Sequence, residues 1–177
     1  MTRLAVVALV LLPVTSGPQE AGASICRDSV RLARLARINA APDADLIKTQ
    51  SDVWCATRER YRNVTWPDKR AARLPSGAWN YPDGRVAKTS GDVWKYANGQ
   101  TAKSSSGTWN YPSGKPAKFE SGRWQRPDGR PVTESELLLW ACQRLGDGQC
   151  RRPLAEIRAL SGFDKDLAIV ELAWAAR

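Results

Sequence analysis

The chain has 177 residues, 27 Lys plus Arg against 18 Asp plus Glu, a net charge of +9 and no His. That length suits one domain or a small pair, and the missing imidazole removes the commonest general base and the commonest metal ligand. With 42% apolar residues, 25% charged residues and eight Trp against two Phe, the composition is that of a folded protein and excludes a disordered chain.

The first predicted element is an address. Arg3 precedes an apolar run over residues 4–14, and Ala21-Gly22-Ala23 offers a small-x-small site. This is the pattern of a secretory signal, so removal of residues 1–23 with cleavage after Ala23 is expected. The run is shorter than the roughly 20 residues a bilayer needs, so no transmembrane span is expected in the mature chain. Ile25 before Cys26 argues against a lipid attachment site. The expected location is secreted or periplasmic. In an oxidising compartment an even cysteine count favours disulfides. Cys26–Cys55 and Cys142–Cys150 are the expected pairs, because each lies within one segment of the chain. Without His or a C-x-x-C spacing, no metal and no cofactor is expected.

Residues 24–65 read as a helical segment. Over residues 26–38, Arg27, Arg31, Arg34 and Arg37 fall on one stripe, with Leu32, Ala33, Leu35 and Ala36 opposite. The stripe is either a solvated face or a contact for an anionic surface. A second helix is expected from about residues 43–45 to Arg62, with Cys55 facing the first. Residues 66–75 read as a linker or an irregular first strand.

Residues 76–133 carry an internal repeat. Trp79, Trp94, Trp109 and Trp124 recur every 15 residues, and Gly84, Gly99, Gly114 and Gly129 keep the step. Tyr81, Tyr96 and Tyr111 follow the first three Trp at a fixed offset, with Arg126 in fourth place. Ala87, Ala102 and Ala117 precede Lys88, Lys103 and Lys118, with Val132 and Thr133 closing the series. Each unit is predicted to be a β-hairpin. Tyr81-Pro82-Asp83-Gly84-Arg85 suits a type I turn with a G1 bulge. In that register Tyr81 faces Arg85, Asn80 faces Val86 and Trp79 faces Ala87. Trp, Tyr and Ala share one face, while Asn80, Lys95, Asn110 and Gln125 point to the other. Gly77, Gly91, Gly107 and Gly122 mark the second turns. Pro116 and Pro131 cannot donate to a ladder, which limits the strands to about four or five residues.

Residues 134–177 read as helices again. Thr133-Glu134-Ser135-Glu136 is a capping box. Gly146-Asp147-Gly148 is expected to end that helix inside the Cys142–Cys150 staple. Pro153 is expected to open a short helix to about Leu160, and Asp164 to cap a last one. The fold class is therefore α+β: an antiparallel meander of four short hairpin repeats flanked by N- and C-terminal helices. Charge is uneven, at +5 over residues 24–75, +5 over 76–133 and −1 over 134–177.

Equivalent Trp residues in consecutive hairpins stand about 10 Å apart. Two readings follow. The indoles form a core covered by the flanking helices, or they form a platform for sugar rings with a basic rim. The second makes Trp79, Tyr81, Arg85, Trp94, Tyr96, Trp109, Tyr111, Lys115 and Trp124 the candidate ligand-binding residues. W-N-Y-P-D-G-R-V-A-K and W-N-Y-P-S-G-K-P-A-K resemble the tandem W-x-Y-P-x-G-x-x-A repeats of small exported bacterial proteins, and are distantly similar to MORN-type hairpin repeats. The resemblance covers about residues 76–133 and implies a β-repeat binding or scaffolding protein. Its period differs from that of MORN units, and it carries over no catalytic residue.

No G-x-S-x-G or H-E-x-x-H pattern is present. Glu134/Glu136 and Asp164/Asp166 are explained as helix N-terminal charges. A non-enzymatic cell-envelope binding module is expected, with an envelope glycan, an anionic surface or another envelope protein as partner. The alternative is a structural or protein-interaction scaffold with the Trp ladder as core. Export disfavours nucleic acid as a partner, and the edge strands leave the oligomeric state open.

Overall fold

In the computed structural model, the residues described are 19–38, 41–57, 64–74, 76–88, 93–104 and 106–177. The apolar run of the expected signal, Arg62 and Gly91 lie outside them. The element order is α1 (Gln19–Ile38), α2 (Ala44–Thr57), β1 (Trp79–Asn80), β2 (Val86–Lys88), β3 (Trp94–Lys95), β4 (Thr101–Lys103), β5 (Trp109–Asn110), β6 (Pro116–Lys118), β7 (Trp124–Gln125), β8 (Pro131–Val132), α3 (Glu134–Leu145), α4 (Asp147–Ala159) and α5 (Gly162–Ala175). The eight strands form one antiparallel meander in chain order. This is the expected α+β arrangement, with helices at both ends.

The hairpin turns follow from their residue types. Tyr81 N–H donates to Arg85 C=O at 2.8 Å, and Gly84 N–H donates to Tyr81 C=O at 2.8 Å. Gly84 has φ +89°, the left-handed position of the G1 bulge, which a side chain would strain. The residue before it closes the turn: Arg85 N–H donates to Asp83 Oδ1 at 3.0 Å. Asn98, Ser113 and Asp128 do the same for Gln100, Lys115 and Arg130.

Beyond the turn the register departs from expectation. Asn80 faces Val86, but Trp79 faces Lys88 across a bulge rather than Ala87. The same shift recurs at Trp94↔Lys103 and Trp109↔Lys118, and is absent at Trp124↔Val132. The extra residue in each bulged strand is Ala87, Ala102 or Ala117, and all three are fully buried. A small side chain there lets the chain fold under the neighbouring indole. Bulges and prolines together hold each strand to two or three residues, shorter than expected.

The stretch expected as a linker contains a fifth hairpin. Trp66 N–H donates to Arg70 C=O at 2.8 Å, and Lys69 N–H donates to Trp66 C=O at 2.8 Å. Thr65 bridges Ala71, and Arg73 bridges Trp79. The positions match the repeat set back by 15 residues: Val64 for Trp79, Trp66 for Tyr81, Asp68 for Asp83, Lys69 for Gly84 and Ala72 for Ala87. Lys69 keeps the left-handed backbone of the glycine it replaces, at φ +69°.

The helices cover the indole face of the sheet. Trp54 of α2 packs between Trp66 and Trp79, with ring centroids 5.7 and 5.2 Å away. Phe163, at the start of α5, reaches Trp94 at 6.2 Å and Trp109 at 4.9 Å. Trp174, near the other end of α5, stacks on Tyr111 at 5.7 Å. Leu167, Ala168, Ile169, Val170, Leu172 and Ala173 are all buried, as suits a helix surrounded by other elements. Both expected disulfides are formed: Cys26–Cys55 joins α1 to α2, and Cys142–Cys150 joins α3 to α4.

α1 begins at Gln19 and so extends over Ala21-Gly22-Ala23. Two helix expectations need correction. α4 begins at Asp147, immediately after Gly146 at φ 78°, and Pro153 sits inside it. The arginine stripe of α1 is in part an internal contact: Arg27 and Arg37 are exposed, but three of the four arginines reach acids of α4 and α5. Arg31 pairs with Asp164 at 2.5 Å, Arg34 with Glu156 and Glu171 at 3.3 and 3.4 Å, and Arg37 with Glu171 at 2.6 Å. Three positive charges of the N-terminal segment are thus matched by acids of the C-terminal helices. Burial pushes the Glu171 carboxyl above its ordinary pKa, against the pull of Arg37 and Arg34.

Candidate functional site

The aromatic candidates form core, not a platform. Trp79, Trp94, Trp109 and Trp124 are at most 2% exposed, as are Tyr81, Tyr96 and Tyr111. No ring face is open for a sugar to stack on, because α1, α2 and α5 occupy that side of the sheet. The seven rings are closed off from solvent in the folded chain. Trp79 Nε1–H donates to Asp28 Oδ2 at 3.3 Å.

The tyrosines join one repeat to the next. Tyr81 Oη–H donates to Lys95 C=O at 3.1 Å, Tyr96 to Asn110 C=O at 2.5 Å and Tyr111 to Gln125 C=O at 2.6 Å. Each hydroxyl crosses to the residue after the next indole. Burial pushes all three phenols above their ordinary pKa.

The repeated lysines tie the sheet to the helices. Lys88 Nζ donates to buried Asp28 at 3.1 Å, and Lys118 Nζ to both carboxylate oxygens of Asp166 at 2.9 and 2.8 Å. Lys103 lies 5.0 Å from the Phe163 ring centroid. Asn80 and Asn110 each bond back to the preceding unit, at Ala71 C=O and Thr101 C=O.

Of the nine candidate ligand-binding residues, only Arg85 and Lys115 are exposed. Arg85 is held by Asp83 of its own turn. Lys115 has no ion pair among the described residues, and it lines a cleft of about 420 Å³. Two hairpin turns build one wall, through Ser113 and Lys115 and through Arg126, Pro127 and Asp128. Trp140 and Arg144 of α3, with Trp174 and Arg177 at the end of α5, build the other.

The cleft exists because the repeat stops there. A tyrosine at position 126 would have no following indole unit to bond. Arg126 instead lays its guanidinium over Trp140 at 4.6 Å and pairs with Asp128 at 2.7 Å. Arg144 also lies over Trp140, at 5.6 Å, and spends its Nε–H on Ala176 C=O at 2.6 Å. Arg177 lies over Trp174 at 4.0 Å. Four cations thus face one carboxylate in a space lined by two half-buried indoles. The departure at Arg126 was visible in the repeat; Trp140, Arg144, Trp174 and Arg177 carry no local pattern that marks them.

A second groove of about 720 Å³ runs between α1–α2 and α4–α5. Its acids, Glu156 and Glu171, are already paired with Arg34 and Arg37. Among the described residues no group of three or more His, Cys, Asp or Glu could hold a metal ion, and no helix is long and apolar enough to cross a membrane. Comparison with protein-family models, curated proteins and solved structures gives no match.

Proposed function

We propose that the protein is an exported, non-enzymatic binding module of the cell envelope whose partner is anionic. The observation that carries this reading is the charge of the terminal cleft: Lys115, Arg126, Arg144 and Arg177 against Asp128. Arg31, Arg34 and Arg37 of α1 are paired to helix acids, and Lys88 and Lys118 are strapped to Asp28 and Asp166, so these charges belong to the fold. Two disulfides suit an oxidising compartment. The N-terminal apolar run and the likeness to exported tandem-repeat proteins point the same way. The buried Trp ladder supports a rigid-scaffold role for the hairpin array itself, with the binding surface at its end.

The test is co-sedimentation of the disulfide-bonded protein with purified peptidoglycan and with lipopolysaccharide. Retention is expected at about 20 mM salt and its loss at about 300 mM, since such contacts are screened. No retention on either at low salt refutes the envelope role.

A further inference from the structure

We infer that the cleft between the last two hairpin turns and helices α3 and α5 is a binding site for a phosphate monoester. This rests on reading that cleft as the anion site, and it replaces sugar-ring stacking as the mode of recognition. Indoles bind sugars through their faces. Here those faces are in use: Arg126 and Arg144 both lie over Trp140, while Trp174 has Tyr111 stacked on it and Arg177 above it. The two indoles therefore act as supports that orient guanidinium groups. The cleft presents N–H donors, and its ligand is the group those donors fit.

Several donors are unspent. Arg144 uses only its Nε–H on the protein, which leaves both terminal nitrogens without a partner among the described residues. Arg126 gives one terminal nitrogen to Asp128, and its Nε is closed off from solvent, so only the rest of its guanidinium can serve a ligand. The Lys115 ammonium has none. These groups come from three separate elements, two hairpin turns and α3, and Arg177 adds a further cation at the end of α5. Convergence from several directions suits a tetrahedral anion with three acceptor oxygens better than a planar carboxylate. Four cations around one carboxylate also match a dianion. The phosphate could be carried by a soluble saccharide or by a lipid headgroup, and the same donors would serve either.

The experiment titrates the full disulfide-bonded chain with glucose 1-phosphate, glucuronate and glucose, followed by calorimetry. Glucose 1-phosphate is expected to bind at least about tenfold more tightly than glucuronate, with no signal from glucose. Arg144→Gln and Lys115→Gln should each weaken glucose 1-phosphate about tenfold, whereas Arg85→Gln, on a turn outside the cleft, should leave it unchanged. Lys115 is exposed, so its variant keeps the test valid if Arg144→Gln impairs folding. Vesicles of phosphatidylcholine with and without phosphatidic acid separate the sources. Capture by phosphatidic acid that Lys115→Gln abolishes assigns the headgroup; glucose 1-phosphate binding without vesicle capture assigns the soluble ester. Equal affinity for glucuronate and glucose 1-phosphate overturns the inference, as does an equal loss in Arg85→Gln. A chain that binds glucose 1-phosphate but no envelope polymer would refute the envelope role and leave this site standing. Polymer retention insensitive to Lys115→Gln and Arg144→Gln, with no glucose 1-phosphate binding, would do the reverse.

Discussion

Tyr96→Phe tests whether the hydroxyl series holds the array together. Tyr96 is fully buried and its hydroxyl donates to Asn110 C=O at 2.5 Å. Phenylalanine keeps the ring and removes the donor, leaving a buried carbonyl with one partner fewer. The expected loss is about 1–2 kcal/mol, or a fall of about 2–8 °C in melting temperature for a chain of this size. A second signature comes from pH. Burial raises the folded-state pKa of Tyr81, Tyr96 and Tyr111 above the ordinary value of 10.0. The folded state therefore keeps these protons where the unfolded state releases them. Their contribution to stability is complete below pH 10 and is lost as pH rises toward the folded values. Well above pH 10 each such group tilts the balance toward unfolding by about 1.4 kcal/mol per pH unit, so three give about 4 kcal/mol per unit. Urea midpoints measured across alkaline pH, with tyrosinate absorbance recorded alongside, should show three phenols ionising only as the chain unfolds. Tyr96→Phe should lower that slope by one proton. A variant within about 0.3 kcal/mol of wild type, or more than one of the four tyrosines ionising at the ordinary pKa before unfolding, would refute the reasoning.

Lys69→Gly should stabilise the chain by about 0.5–1 kcal/mol, since the strain of a side chain at φ +69° exceeds the entropy glycine adds to the unfolded state; a denaturant melt showing destabilisation would contradict the fifth-unit assignment. Asp28→Asn should cost about 3–5 kcal/mol, because Asp28 is buried and is the carboxylate that Lys88 pairs with, while Arg31 keeps Asp164. Thermal unfolding of the variant measures this, and a change below about 1 kcal/mol would show that the contact does not anchor α1 to the sheet.

The hairpins were legible because their turn chemistry is local. Pro82, Asp83 and Gly84 act on neighbouring backbone, so the type I turn could be read directly. Cys142 and Cys150 were legible for the same reason. The fifth unit was hidden because its three diagnostic positions hold substitutes, Val64 for tryptophan, Trp66 for tyrosine and Lys69 for glycine, while Pro67 and Asp68 still mark the turn. The bulge at Ala87 was not legible. It arises from fitting an indole against the strand, which alternation of side chains does not express. Amphipathicity located the arginine stripe but could not name its partners, because Asp164 and Glu171 lie more than 100 residues along the chain. The cleft was the least visible, since it is built by parts of four elements around the point where periodicity ends.

The two lysine straps have a consequence for how the protein can change in length. Asp28 grips Lys88 near one end, Asp166 grips Lys118 two units later, and Phe163 sits between Trp94 and Trp109. The α1 and α5 helices are themselves locked together through Arg31 and Asp164. The helical layer therefore works as a ruler laid along the ribbon. Duplicating a module between these grips, which a free-standing array would tolerate, would slide one grip off its mark, so module number in this protein can drift only outside the measured span.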